Sequence, residues 1–400
     1  MYNIRKVTDD ITWIGASDRR LALFENIFPI SRGVSYNSYI LVDEQTVLFD
    51  TVDASVAGQF FENLEAVLEG RTLDYLLVNH MEPDHCAMIG DIVRRYPDVK
   101  IVGNTKTFGM MNQFFGTDFA ERSIVVKESD TLSAGKHTLH FVMAPMVHWP
   151  EAMVTYDDVD KVLFSADGFG SFGALNGNIF ADEVDFDRDW LDDARRYYTN
   201  IVGKYGASVQ TLLKKAAGLD IAMICPLHGP VWRENLPYIL EKYQKWSTYE
   251  AEDQAVVIMY ASMYGNTASA ADALAGALAV RSVKKIAVYD VSNTHVSELI
   301  SEIFRASHLV FAVPTYNAGI YPVMENLLSD MKALAVQKKT VAVMENGTWA
   351  PTAAKQVKEK LGEMKDMTIL DAGLTIKSAM HAGQKAELDA LADEIVKSMM

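Results

Sequence analysis

The sequence predicts an α/β protein of two domains, the second a doubly wound parallel sheet, on three observations. The chain has 400 residues, more than one hydrophobic core usually organises. Its first half reads as short buried strands broken by loops, whereas from about residue 255 strands and helices alternate regularly. Between the two lies a polar, helix-prone and then acidic segment, Tyr238–Trp246 followed by Tyr249–Asp253.

In chain order, Val47–Asp50, Asp74–Val78, Leu139–Met143, Val162–Ser165 and Ile221–Ile224 are runs of β-branched and large apolar residues bounded by turn or polar residues. They read as buried strands. The acidic segment places the domain boundary so that residues 1–249 form the first domain and 250–400 the second. Beyond it, strands are expected near 255–261, 285–291, 308–314, 340–346 and 367–376, with crossover helices between them. Such a sheet binds ligands at the carboxyl ends of its strands.

Composition narrows the function. An apolar fraction of 49% with 11 prolines is that of a globular protein without low-complexity tracts. A net charge of -16, with no dense Lys/Arg cluster, disfavours nucleic acid as a partner. No stretch approaches the roughly 18 apolar residues of a membrane span, and the first ten residues lack a secretory apolar region, so a cytoplasmic location without membrane association is expected. Cys86 and Cys225 are too far apart for a C-x-x-C site and read as buried thiols.

The strongest chemical signal is His80-Met81-Glu82-Pro83-Asp84-His85, directly after a strand. Four potential ligands within six residues exceed what one ion easily uses. His148, Asp167 and His228 stand in matching places after later strands, so all seven are expected in loops just beyond strand ends. Singly, a His or Asp in a loop is more often a capping or turn residue. Jointly, four imidazoles and three carboxylates would serve two ions if one carboxylate bridges them, leaving positions open for an outside ligand. His137 and His140 lie on opposite faces of an expected strand and cannot chelate one ion. Gly168 to Gly173 fits G-x-G-x-x-G but opens no helix within a βαβ unit, so it reads as a turn behind Asp167.

In the second domain three strand ends carry small, polar and aromatic residues together. Ser262-Met263-Tyr264-Gly265-Asn266-Thr267 opens an Ala-rich helix, where N–H groups and hydroxyls suit a phosphate without a lysine. Pro314-Thr315-Tyr316-Asn317-Ala318-Gly319 and Asn346-Gly347-Thr348-Trp349 follow the third and fourth strands, with Tyr316 and Trp349 placed to line a planar ring.

The first set of residues resembles the metallo-β-lactamase fold, an αββα sandwich, over roughly residues 1–249. Within it Glu82 stands where zinc hydrolases carry His, and the chain resembles the flavo-diiron proteins. An anionic oxygen donor there makes the site harder, which suits cycling iron. The segments Tyr36–Ile40, His148–Met153 and Ser165–Gly170 are similar to flavo-diiron sequence as well. The resemblance implies His80, Glu82 and His148 on one iron, Asp84, His85 and His228 on the other, and Asp167 bridging. It also implies a hydroxyl near the metals from Tyr197 or Tyr198. Phe24-Glu25-Asn26 departs from the Phe-His-Gly of many members. Residues from about 254 to 400 resemble flavodoxin, implying FMN with its phosphate at 262–267 and its ring between 315–319 and 346–350.

Such proteins reduce O2 to water, NO to N2O, or both. Reduced flavin carries two electrons and two ferrous ions one each, four in all, as O2 requires; two NO need two. The resemblance further implies a head-to-tail homodimer and a separate electron donor, rubredoxin or, in some relatives, reduced coenzyme F420. The alternatives are a zinc-dependent hydrolase with an accessory flavodoxin domain, and an electron carrier with a vestigial metal site.

Overall fold

The computed structural model describes residues 2–400 and divides the chain into two compact units. One comprises residues 1–198 with 207–244, the other 199–206 with 245–400.

The first unit is built on two sheets that share one apolar core. One has seven strands, in the order Arg5–Lys6, Ile11–Trp13, Tyr39–Val42, Thr46–Phe49, Tyr75–Leu77, Lys100–Gly103 and Ser123–Val125. The other has five, Thr131–Ser133, Thr138–Met143, Met153–Asp157, Val162–Phe164 and Met223–Cys225. Trp13, Tyr39, Phe49 and Leu77 of the first pack with Leu139, Phe141, Met153 and Phe164 of the second. The rings of Phe49 and Phe164 stack with centroids 3.7 Å apart. Helix Ala57–Leu68 buries Phe60, Phe61, Leu64 and Leu68, the recurrence that an amphipathic helix on a sheet requires. Leu213 and Ala216 of helix Gly206–Ala216 line one cavity with Leu163 and Ile224 of the second sheet. The expected strand Ile221–Ile224 starts later, at Met223.

The second unit has a six-stranded sheet, five of its strands parallel in the order Ile286–Asp290, Asp253–Tyr260, Ala306–Tyr316, Thr340–Asn346 and Thr368–Ile376, with Gly319–Ile320 antiparallel to the end of Ala306–Tyr316. Its alternation is legible residue by residue. Ala255, Val257 and Met259 face a core shared with helices Val296–Arg305, Pro322–Ala333 and Ala353–Gly362. Val256 and Ile258 face the opposite core, shared with helices Asn266–Val280 and Lys385–Ser398. A strand buried on both faces explains why these segments read as continuous apolar runs. Among the described residues no helix is long and apolar enough to cross a membrane, and Cys86 and Cys225 are free and buried.

His137 ties the two sheets' loops together. It is buried, with Nδ1 2.9 Å from Asp157 Oδ1 and Nε2 3.1 Å from Asp10 Oδ2. Lys136 Nζ also donates to Asp10, and Thr8 to the neighbouring Asp160, so these carboxylates already have partners. His140 engages Asp158 instead. Burial alone would lower the pKa of His137, but the hydrogen bonds it donates to Asp10 and Asp157 raise it overall. A raised folded pKa means stability that is complete below the unfolded value near 6.5 and is lost as pH rises through the folded value. His137→Gln is therefore expected to lower stability by about 1–2 kcal/mol at pH 6, and by progressively less under alkaline conditions. Denaturation of both proteins across that range measures the difference.

Candidate functional site

The seven residues singled out in the first unit converge on one buried pocket. His80 and Glu82 follow strand Tyr75–Leu77, and Asp84 and His85 lie on the single helical turn Pro83–Cys86 rather than in a loop. Pro83 at the first helical position suits a turn that starts abruptly. His148 lies between Thr138–Met143 and Met153–Asp157, Asp167 beyond Val162–Phe164, and His228 beyond Met223–Cys225.

They form two groups. His80, Glu82, His148 and Asp167 offer ligand atoms within 4.8 Å of one another, as do Asp84, His85 and His228. Asp167 joins them: Oδ2 lies 3.1 Å from His148 Nε2 and 3.4 Å from His80 Nε2, while Oδ1 lies 3.2 Å from His85 Nε2 and 3.8 Å from His228 Nε2. Glu82 Oε2 is 3.0 Å from His148 Nε2 and 3.2 Å from His80 Nε2. Asp84 Oδ2 is 3.3 Å from His228 Nε2 and 3.4 Å from His85 Nε2.

The electrostatics fit a pair of cations. Burial raises the pKa of Asp167, yet the imidazoles of His85 and His80 hold it well below the carboxylate range. His80 is correspondingly raised despite burial, chiefly by Asp167, and His148 to about 9 by Asp167 and Glu82. Both oxygens of Asp84 and Oδ1 of Asp167 are buried without a hydrogen-bond donor. The Nε2 atoms of His85 and His228 face each other at 3.0 Å. Buried acceptors without donors are costly, and metal ions at the two foci would satisfy them.

In the second unit a cavity of about 310 Å3 opens at the carboxyl ends of the strands. Ser262, Met263, Tyr264, Asn266 and Thr267 line one side, Pro314, Thr315, Asn317 and Ala318 another, and Asn346, Gly347, Thr348 and Trp349 a third. No lining residue is charged. Gly265 holds the left-handed turn (φ 88°) that starts helix Asn266–Val280, leaving that helix end without a side-chain cap. Trp349 is 82% and Tyr264 91% exposed, apolar rings left in water beside the cavity, which a planar ligand would cover. Gly265, Tyr316 and Gly319 lie outside the lining; Tyr316 turns its ring onto Tyr321, 5.6 Å away.

Comparison with known proteins agrees with both halves. The profile of the ODP family beta lactamase matches residues 34–229, and that of flavodoxin residues 258–394. The chain is 31% identical over 391 residues to the anaerobic nitric oxide reductase flavorubredoxin of Klebsiella pneumoniae, covering 96% of this chain and 78% of that protein. The chain belongs to the flavodiiron protein family. Among solved structures it resembles rubredoxin oxygen:oxidoreductase from Desulfovibrio gigas, with a TM-score of 0.91, 28% identity, and 99% of this chain and 98% of that one covered. A variant of the flavo di-iron protein from Thermotoga maritima superposes with a TM-score of 0.90 at 26% identity, covering 99% and 98% of the two chains. The expected pairing of a metallo-β-lactamase-like sandwich with a flavodoxin-like sheet is therefore what this flavodiiron chain has.

Its geometry also separates Tyr197 from Tyr198. The Tyr197 ring is 5.4 Å from that of His228, and its buried hydroxyl has no hydrogen-bond partner. A side chain at Gly170 would come within 2.9 Å of that ring, so the glycine behind Asp167 makes room for it. Tyr198 packs on Tyr243 instead.

Several contributors were not singled out from the sequence. Asp50 accepts from the backbone N–H of Asn79 and His80 and from the Asn79 amide, fixing the start of the ligand loop. Glu151 accepts from His80 Nδ1, and the Ser35 carbonyl from His228 Nδ1. Glu25, noted in the sequence only as part of a departure from the common pattern, stands at the tip of the Leu23–Phe24/Phe28–Pro29 hairpin, where it and Asn26 are both left-handed. Withdrawal of its carboxyl from water, and after it the nearby Glu82 carboxylate, push Glu25 up to about 8. Ser378 exchanges hydrogen bonds with Asn346 at the flavin-type cavity. These roles depend on long-range contacts, and no local spacing announces them.

Asp167→Ala is expected to weaken metal binding at both foci, by more than about 100-fold, read as metal content after gel filtration. Asn346→Ala breaks the bonds to Thr267 and Ser378. It is expected to weaken FMN binding about tenfold, or 1.4 kcal/mol, in a fluorescence titration, while leaving the metal content unchanged.

Proposed function

We propose that this flavodiiron chain is an oxidoreductase that reduces O2 to water, NO to N2O, or both, at a pair of iron ions supplied with electrons through FMN. The arrangement that carries this reading is Asp167 with one oxygen toward each group of ligands, and Glu82 completing the first. Iron and FMN supply redox chemistry, four electrons in total when both are reduced, enough for one O2 or two pairs of NO.

The chain's own residues do the rest. His80, Glu82 and His148 would hold one ion, Asp84, His85 and His228 the other, with Asp167 between them. Phe24 closes the aromatic side of the pocket: its ring lies 5.4 Å from those of His228 and Phe172. The Tyr197 hydroxyl, lacking a partner, is available to donate a hydrogen bond toward the centre. In the second unit the helix start at 266, with the hydroxyls of Ser262 and Thr267, would take the phosphate of FMN, and Trp349 would cover its ring.

A soluble electron-transfer protein such as rubredoxin is the donor that this reading favours, because the relatives include a rubredoxin oxygen:oxidoreductase. A head-to-tail homodimer and a cytoplasmic location complete it. The zinc-hydrolase alternative is disfavoured by Glu82, an anionic donor where such enzymes carry an imidazole.

Metal and flavin analysis of the purified protein should give about two irons and one FMN per chain, with gas consumption at an electrode once the protein is reduced. Glu82→Ala is expected to abolish consumption of both gases, by at least about 100-fold, while flavin absorbance stays intact. Turnover that survives the substitution refutes the ligand assignment; chelator-sensitive hydrolysis with zinc bound refutes the class of reaction.

A further inference from the structure

Three of the four imidazoles of the metal pocket, His80, His85 and His228, are backed unequally. His80 Nδ1 lies 2.9 Å from Glu151 Oε1, and both side chains are fully buried. His228 Nδ1 donates to a neutral acceptor, the Ser35 carbonyl, at 2.7 Å. His85 Nδ1 is buried with no partner at all. Glu151 is firmly held: Oε1 also accepts from the Met81 N–H at 2.8 Å, and its backbone carbonyl accepts from Asn104 Nδ2 at 2.6 Å. Asn104 in turn caps helix Thr105–Phe115. The carboxylate is thus tied through Oε1 to the loop carrying His80, while the backbone of the same residue is fixed by the cap of a helix.

An N–H that donates to a carboxylate gives its ring more anionic character, making the opposite nitrogen a stronger donor to a metal. A carbonyl does this weakly, and an unpartnered N–H not at all. We propose that the two metal positions are electronically unequal by construction, with Glu151 the positioning residue that makes the ion bound by His80 the more electron-rich. This inference rests on the diiron reading above. The ion at His80, Glu82 and His148 is then the first to lose an electron when the reduced centre is oxidised, and the ion at Asp84, His85 and His228 the second.

The test is Glu151→Gln in the iron-loaded protein, oxidised stepwise at controlled potential and followed by EPR and Mössbauer spectroscopy. The amide keeps the shape and an acceptor oxygen but removes the charge. The first oxidation should become about tenfold less favourable, equivalent to 59 mV for one electron, while the second moves less than threefold. Equal movement of both steps, or of neither, with two irons retained overturns the proposal. If the variant loses iron, ferrous titration of the metal-free protein decides: a loss confined to one of the two binding steps supports it, and an equal loss in both overturns it. If it does not fold, Glu151→Asp draws the carboxylate back from His80 Nδ1, and a first oxidation that shifts no more than the second in that protein overturns the proposal. Failure of the broader reading looks different, since the unsubstituted protein would then lack the iron pair or consume no gas.

Discussion

The carboxylate of Asp167 is the constraint on which the first unit depends. It is buried, and its two oxygens face different groups of imidazoles. A charge in that position is tolerated only when cationic partners surround it on both sides. The partners come from separate strand ends: His80 and His85 follow the first sheet, His148 and His228 the second. The two sheets must therefore be held in register to within the length of a hydrogen bond, which is what the packed interface around Phe49 and Phe164 provides.

The backbone near the site carries the cost of that convergence. Asp50, Met146, Ala166 and Phe169 all adopt left-handed conformations, which non-glycine residues avoid. Each lies beside a functional group: Asp50 holds the His80 loop, Met146 precedes His148 by two residues, and Ala166 and Phe169 flank Asp167. Such residues persist where surrounding contacts over-determine them. Here the contacts are identifiable. Phe169 N–H donates to the Tyr243 hydroxyl, Leu227 N–H to the Ala166 carbonyl, and the Asn79 N–H to Asp50. Disrupting the turn at 165–170 would displace Asp167 and Tyr197 together, because Gly170 sits directly against the tyrosine ring.

Much of this was legible in the sequence because it is local. The alternation of Ala255 to Met259 between two cores follows from strand geometry, and the six-residue cluster at 80–85 announces itself by density. The three loops around the flavin-type cavity were visible as strand ends rich in small and polar residues. What was not legible depends on contacts across the fold. Tyr316 has the composition of a ring-lining residue, but the hairpin formed with Gly319 and Ile320 turns it toward Tyr321. Asp84 and His85 read as loop residues because a four-residue helix has too few positions to show a period. Glu151 is 71 residues from His80 in sequence, and Asp50 is 30 from it, so neither spacing could reveal its role.

Glu82 is where the chemistry of the fold divides. With an imidazole there, the first group would offer neutral nitrogen donors and a single shared carboxylate, a set suited to an ion that polarises water without changing its charge. With a carboxylate, that group carries two anionic donors, Glu82 and Asp167, and a third anion, Glu151, behind His80. Each added negative charge stabilises the oxidised ion more than the reduced one, because the interaction scales with the charge of the metal. The pocket therefore favours an ion that can give up an electron. The neutral cavity of the second unit complements it, offering N–H groups, hydroxyls and an exposed tryptophan to a planar phosphate-bearing cofactor rather than a charge to a substrate. A hydrolase has no use for that cavity, whereas a centre that must be re-reduced after every turnover does.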